Sequence, residues 1–127
     1  MFPTILSFAG VPVPESLHGV DLGAKVLDGG VDDSAATRDF VVSEINQAQY
    51  KGRMMVTSDY KYILFDGGAN PEQLFDLVND PGELTPVTYD PAYRKQLLAH
   101  RDLLLQWREK IGDDDFDPNG KFPNTSE

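Results

Sequence analysis

The sequence predicts an α+β domain: a small four-stranded antiparallel sheet packed against one long C-terminal helix, preceded by a truncated helix and an irregular connection. Three observations carry this prediction. Residues 38–77 hold four short runs rich in β-branched and aromatic side chains, separated by turn residues. Residues 90–112 hold an apolar stripe at spacings of three and four, with capping residues at both ends. Proline and glycine cluster between residues 10 and 37, where no period is visible.

Residues 2–9 read as the last turns of a helix, with Pro3 in the first turn, where its missing N–H costs nothing, and Gly10 at a left-handed C-cap. About two turns fall well short of the roughly 12–15 residues at which an isolated helix becomes viable. Such a stub at the first residue suggests structure missing upstream. Residues 11–37, with Pro12, Pro14, Gly19, Gly23, Gly29 and Gly30, read as an exposed connection anchored by Leu17, Val20 and Leu22.

The strands are predicted at residues 38–46, 53–57, 60–66 and 73–77. Ser58 and Asp59 join the second to the third, and Asp59 tolerates a left-handed backbone. Gly67 and Gly68 form a turn with no helix N-terminus behind it, so they do not cradle phosphate. Asp80, Pro81 and Gly82 supply the turn after the fourth strand. Asp90 is an N-cap, with Pro91 at the first helical position and Gly112 ending the helix. Tyr93, Leu97, His100, Leu104, Trp107 and Ile111 make its stripe, widened by Leu98 and Leu105. Both sheet faces are apolar: Tyr60, Tyr62 and Leu64 on one, Ile63 and Phe65 on the other, with Met55 opposite Met54 and Val56. One helix covers one face, so the second is expected to meet a missing domain or a second copy of the chain.

Composition narrows the function classes. In 127 residues, 11 basic side chains stand against 21 acidic ones, a net charge of −10 that argues against a nucleic-acid partner. No run approaches the roughly 18 apolar residues of a membrane span. Cysteine is absent, which excludes disulfides and thiolate chemistry within the chain. The N-terminus lacks a basic n-region and a long h-region, so a chain starting at a true Met1 is expected in the cytoplasm.

Three segments, in order, resemble the C-terminal subdomain of the sulfatase family. FPTILSFAGVPVPESLHG, from Phe2, is similar to the end of a core helix running into a Pro-Glu-x-x-x-Gly loop. Gly52-Arg53-Met54-Met55-Val56 through Lys61-Tyr62-Ile63 is similar to an Arg-Met-Val-Arg-Thr…Tyr-Lys-Tyr hairpin. Glu72-Gln73-Leu74-Phe75-Asp76-Leu77, followed by Asn79-Asp80-Pro81-Gly82-Glu83, is close to Glu-Leu-Tyr-Asp-Leu…Asp-Pro-x-Glu. Departures lie in loops: Thr85-Pro86-Val87 replaces the usual Asn-Leu, and His18 and Asp21 replace other polar residues. The resemblance implies boundaries at 1–37 (end of the catalytic-domain helix and connecting loop), 38–112 (C-terminal subdomain) and 113–127 (acidic tail). It also implies sulfuric ester hydrolysis by an upstream catalytic domain that carries calcium and a formylglycine made within Cys/Ser-x-Pro-x-Arg. That motif does not occur here, so the chain is expected to be inactive alone, to need the missing catalytic domain as partner, and to help line its substrate cleft. A full-length sulfatase would be periplasmic, secreted or lysosomal. The alternative is a standalone interaction module that dimerises or binds a partner through its second sheet face.

No catalytic or metal-ligating residue is assigned. His18, Glu44, Arg53 and Lys61 are the substrate-rim candidates, the last three being strand charges facing a partner domain, for which a structural ion pair is the default. His100 and Trp107 lie on the helix stripe and read as packing residues. Asp115-Phe116-Asp117-Pro118-Asn119-Gly120 opens like an EF-hand loop, but the twelfth position is Ser126 and Glu127 falls one residue late, so a solvated tail that includes Asp113 and Asp114 is expected. Asp32 and Asp33 lack the preceding strand of a metal site.

Overall fold

The computed structural model describes residues 2–17, 19–27, 38–47 and 50–116. The chain forms two compact units, Met1–Arg38 and Asp39–Glu127.

In the first unit, helix α1 spans Phe2–Phe8 with Pro3 buried. It ends as Gly10 predicts: φ is 67°, the Val11 N–H donates to Leu6 O at 2.9 Å, and the Gly10 N–H donates to Ser7 O at 3.0 Å. This pair of bonds is a Schellman motif, which satisfies carbonyls the helix would otherwise leave open. The connection is less irregular than its composition suggests, because a short helix, α2, occupies Gly23–Leu27. Asp21 starts it by accepting from the Gly23 N–H at 2.8 Å, and Thr4 Oγ1 accepts from the Leu22 N–H at 2.9 Å. Two side-chain oxygens at non-periodic positions thus create an element that hydrophobic spacing does not show. Asp32 and Asp33 lie outside the described residues.

The second unit is a meander of β1 (Val41–Gln47), β2 (Tyr50–Val56), β3 (Tyr60–Phe65) and β4 (Glu72–Asp76), in the order β1-β2-β3-β4 and antiparallel throughout. A long helix, α3, follows at Arg94–Ile111. The α+β architecture expected from the sequence is the one observed. The β2–β3 turn closes without a left-handed residue, since Glu83 is the only described non-glycine with positive φ. Thr57 replaces that device: the Thr57 N–H donates to Tyr60 O at 2.9 Å, while its Oγ1 accepts from the Tyr60 N–H at 3.1 Å. The free edge of β4 is covered at its centre, where Leu74 O accepts from the Val87 N–H at 2.7 Å and the Leu74 N–H donates to Thr88 Oγ1 at 2.8 Å.

Side chains from one sheet face and from α3 make the core: Met55, Tyr62, Leu64, Leu74, Leu97 and Leu104, joined by Phe116. Tyr60, Tyr93, Leu103 and Trp107 pack around it. Leu103 widens the helix stripe, whereas Leu98 is exposed. On the other face, Phe65 lies across Gly52, its partner in the β2–β3 register. A Cβ at Gly52 would meet the Phe65 ring at 2.6 Å, so glycine is what lets the ring cross the strand.

Asp90 caps the entry to α3 by accepting from the Ala92 N–H at 2.9 Å, and residues Pro91–Tyr93 form a 3-10 turn before the α-helix proper. Gly112 ends α3 at φ 67°, and the Asp113 N–H reaches back to Arg108 O at 3.0 Å. Nothing lies within 4 Å of a Cβ built there, so a side chain would meet only backbone strain. Gly112→Ala is therefore expected to lower stability by about 1–2 kcal/mol in urea unfolding followed by circular dichroism.

Candidate functional site

The meander's period of two decides which charges face inward. Arg53, Met55, Tyr62, Leu64, Glu72, Leu74 and Asp76 share the face under α3, and all are buried. Three charges on an otherwise apolar face require ion-pair or hydrogen-bond partners within the fold, and each finds them.

Glu72, 1% exposed, accepts from the Tyr62 hydroxyl at 2.7 Å and receives a two-point ion pair from Arg101 on α3. A fork of parallel N–H bonds matches the two carboxylate oxygens and fixes how far along the sheet the helix sits. Burial, followed by the Glu72 charge, pushes the Tyr62 phenol above its ordinary pKa, so the hydroxyl remains a donor. The hydrogen bond to Glu72 likewise raises the Arg101 guanidinium.

Asp76 organises the end of β4. Its Oδ1 accepts from the Val78 and Asn79 N–H groups at 3.0 and 2.9 Å, and its Oδ2 accepts from Asn79 Nδ2 and the Tyr93 hydroxyl at 2.8 and 3.0 Å. These bonds, led by that from the Asn79 side chain, hold its carboxyl below the usual carboxylate range. Asp76 thereby ties the turn after β4 to the entry of α3.

Arg53 turns inward rather than toward a partner domain, because it shares strand parity with Met55. Its Nε and Nη2 donate to the two Asp113 oxygens at 2.7 and 2.8 Å, and Nη1 donates to Gly52 O at 2.9 Å. Its Cζ stands 5.0 Å from the centre of the Phe116 ring. Asp113 and Phe116 are thus folded structure and not the start of a solvated tail; burial of Phe116 and the Arg53 charge hold them down. The EF-hand-like positions from Asp117 onward lie outside the described residues.

Glu44 pairs with Arg53 in the β1–β2 register and is exposed. Lys61 lies on the opposite face and forms an ion pair with Glu83, whose φ of 54° is unusual for a residue with a side chain. The fold therefore brings Glu44 and Arg53 together and sets Lys61 apart, while His18 lies outside the described residues. His100 is packed as its stripe position predicts: Nδ1 lies 2.7 Å from Gln96 O, Nε2 lies 3.3 Å from Thr57 Oγ1, and its ring meets Tyr60 edge-on at 5.3 Å. Among the described residues, no group of three acidic, histidine or cysteine side chains is placed to hold a metal, and no helix is long and apolar enough to cross a membrane.

The Glu72–Arg101 and Asp76–Tyr93 pairs escape a reading by hydrophobic spacing, which treats charges as solvent-facing. Two signals point to them. Glu72 and Asp76 flank the inward Leu74 at intervals of two, and Arg101 falls four residues after Leu97 and three before Leu104.

Opposite α3, the sheet presents Met54, Val56, Ile63, Phe65 and Phe75, all half-buried, with Val41 46% exposed. Lys61 and Gln73 are interspersed among them. This surface offers shape and apolar area, and its chemistry suits packing against another body.

Residues 1–110 match the family described as N-sulphoglucosamine sulphohydrolase, C-terminal. The chain is 35% identical over 119 residues to the Δ4,5-hexuronate-2-O-sulfatase of Bacteroides thetaiotaomicron, covering 90% of this chain and 24% of that protein. It is 35% identical over 96 residues to arylsulfatase K of Gallus gallus, covering 68% of this chain and 17% of the relative. The solved structure of a 2-O GAG sulfatase superposes with a TM-score of 0.76 at 34% identity, over 93% of this chain and 27% of that one. The chain thus spans a quarter or less of the curated relatives it matches. By the family match over residues 1–110 and the four-stranded sheet with its long C-terminal helix, this chain belongs to the C-terminal domain family of the sulfatases.

Proposed function

We propose that this chain serves as the C-terminal subdomain of a sulfuric ester hydrolase. It completes the fold of a catalytic domain, contributes to the wall of the substrate cleft, and hydrolyses nothing by itself. The observation that carries this reading is the family match over residues 1–110 in a chain whose aligned relatives are about four or more times longer. Supporting it, Arg53, Glu72, Asp76, Arg101 and Asp113 are engaged in internal pairs that build the fold. The formylglycine and calcium implied by the family resemblance belong to the catalytic domain. The proposed partner is that domain, and the proposed contact is the apolar face bearing Met54, Ile63 and Phe65. The substrate class is a sulfuric ester, the chemistry shared by the names of the two curated relatives.

The test is complementation. The purified chain is mixed with a separately expressed sulfatase catalytic half, and size-exclusion chromatography with light scattering is paired with an aryl sulfate assay. The expected result is no hydrolysis by the chain alone, a one-to-one complex in the mixture, and activity that rises with the complex. Ile63→Glu, which places a charge at the centre of the apolar face, is expected to abolish both complex and activity. Hydrolysis by the chain alone would refute the proposal. A stable homodimer that ignores the catalytic half would replace it with the interaction-module reading, which the apolar second face also accommodates.

A further inference from the structure

We propose that residues 112–116 form a clasp that opens as a unit while the sheet and α3 stay folded, with the Arg53–Asp113 ion pair as its catch. The family match covers residues 1–110 and ends just before this segment. Four ties hold the segment. Asp113 receives both forked nitrogens of Arg53, and its carbonyl accepts from Arg108 Nε at 2.8 Å. Lys51 Nζ donates to Asp115 O at 3.0 Å. Phe116, 1% exposed, fills the core beneath the Arg53 guanidinium.

The ties come from two elements that α3 alone does not join at this end: β2 supplies Lys51 and Arg53, and the last turn of α3 supplies Arg108. Closing the clasp therefore staples the helix C-terminus to the second strand. Opening it frees five residues without breaking a strand-to-strand hydrogen bond, because among the described residues its backbone–backbone bonds run to α3 or within the segment itself. A segment held by side-chain ties and not by strand pairing, next to a strongly paired sheet, is placed to open locally below the cost of global unfolding.

The catch depends on charge. The charged groups around it are Glu44 from β1, Lys51 and Arg53 from β2, Arg108 from α3, and Asp115 from the segment itself. The hydrogen bond from Arg53 is the main cause that holds the Asp113 carboxyl below its ordinary value. A depressed carboxylate contributes stability that is present above the unfolded-state value of about 3.9 and is lost as pH falls through the folded-state value. The clasp is thus closed at neutral pH and released by strong acid.

Amide hydrogen exchange on the full chain tests this. At neutral pH, the Gly112 and Asp113 amides are expected to exchange through an opening insensitive to low urea, while β3 amides follow a urea-dependent one. Asp113→Asn is expected to speed exchange at Gly112 and Asp113 roughly tenfold or more, the scale of a lost charged hydrogen bond, and to leave β3 and β4 unchanged. Asp114→Asn, which alters an exposed neighbour, should change neither. As pH falls below the carboxylate range, the wild-type rates, corrected for intrinsic exchange, should converge on those of Asp113→Asn. Equal acceleration of the sheet amides would overturn the proposal, as would unchanged rates at residues 112 and 113. Should Asp113→Asn not fold, the wild type still decides. A single urea dependence shared by the clasp and β3 would show that no separate opening exists.

Discussion

Arg101→Met is expected to cost the Asp39–Glu127 unit about 3–5 kcal/mol, read from the urea midpoint with an unchanged slope. Glu72 is 1% exposed, and removing the Arg101 guanidinium leaves a carboxylate whose one remaining side-chain partner among the described residues is the Tyr62 hydroxyl. Most of the expected loss is the penalty of an uncompensated buried charge, which the double variant separates. Glu72→Leu with Arg101→Met removes both charges and fills comparable space, so it should recover most of the lost stability, because a buried ion pair replaced by apolar groups is often neutral. The pair is then a device for positioning α3, and the double variant should show a less uniquely docked helix, visible as broadened Trp107 fluorescence. A single variant that loses less than about 1 kcal/mol would mean that Glu72 reaches water or another donor, contrary to its burial.

Leu104→Ala is the second large effect, about 2–5 kcal/mol. Leu104 is 1% exposed and belongs to the cluster that joins α3 to Met55, Tyr62, Leu64 and Leu74. Truncation loses the buried methyl groups and leaves a cavity that a sheet on one side and a helix on the other can close only partly. Leu98, on the same helix but 38% exposed, is the control. Leu98→Ala should stay within about 0.5 kcal/mol of the parent. Equal effects at the two positions would contradict the orientation of α3, since they lie on different faces.

The elements were legible where local chemistry and periodicity agree. Asp90, Pro91 and Gly112 bracket α3 because capping depends on side-chain oxygens, a fixed φ and a missing Cβ, all properties of single residues. The strands were legible because the β-branched and aromatic runs of residues 38–77 alternate and are broken by Ser58, Asp59, Gly67, Gly68 and Pro71. The short helix α2 was not legible, since hydrogen bonds from Asp21 and Thr4 support it in place of an apolar stripe. Of the rim candidates, Arg53 was the least readable. Its inward direction follows from strand parity, but its partner lies 60 residues away and joins it only once the chain turns back after Gly112.

From residue order alone follow the α+β class, the succession of four strands and one long helix, the apolar character of both sheet faces, and the resemblance to sulfatases. These rest on interactions within a few residues or on repeating patterns, which a linear chain displays in full. Tertiary structure alone decided which partners the internal charges take. Glu72 with Arg101, Asp76 with Tyr93, and Arg53 with Asp113 each join positions that no spacing rule links. It also drew residues 113–116 into the fold, because a carboxylate and a phenyl ring gain their stabilisation only where a guanidinium and an unfilled corner of the core already stand.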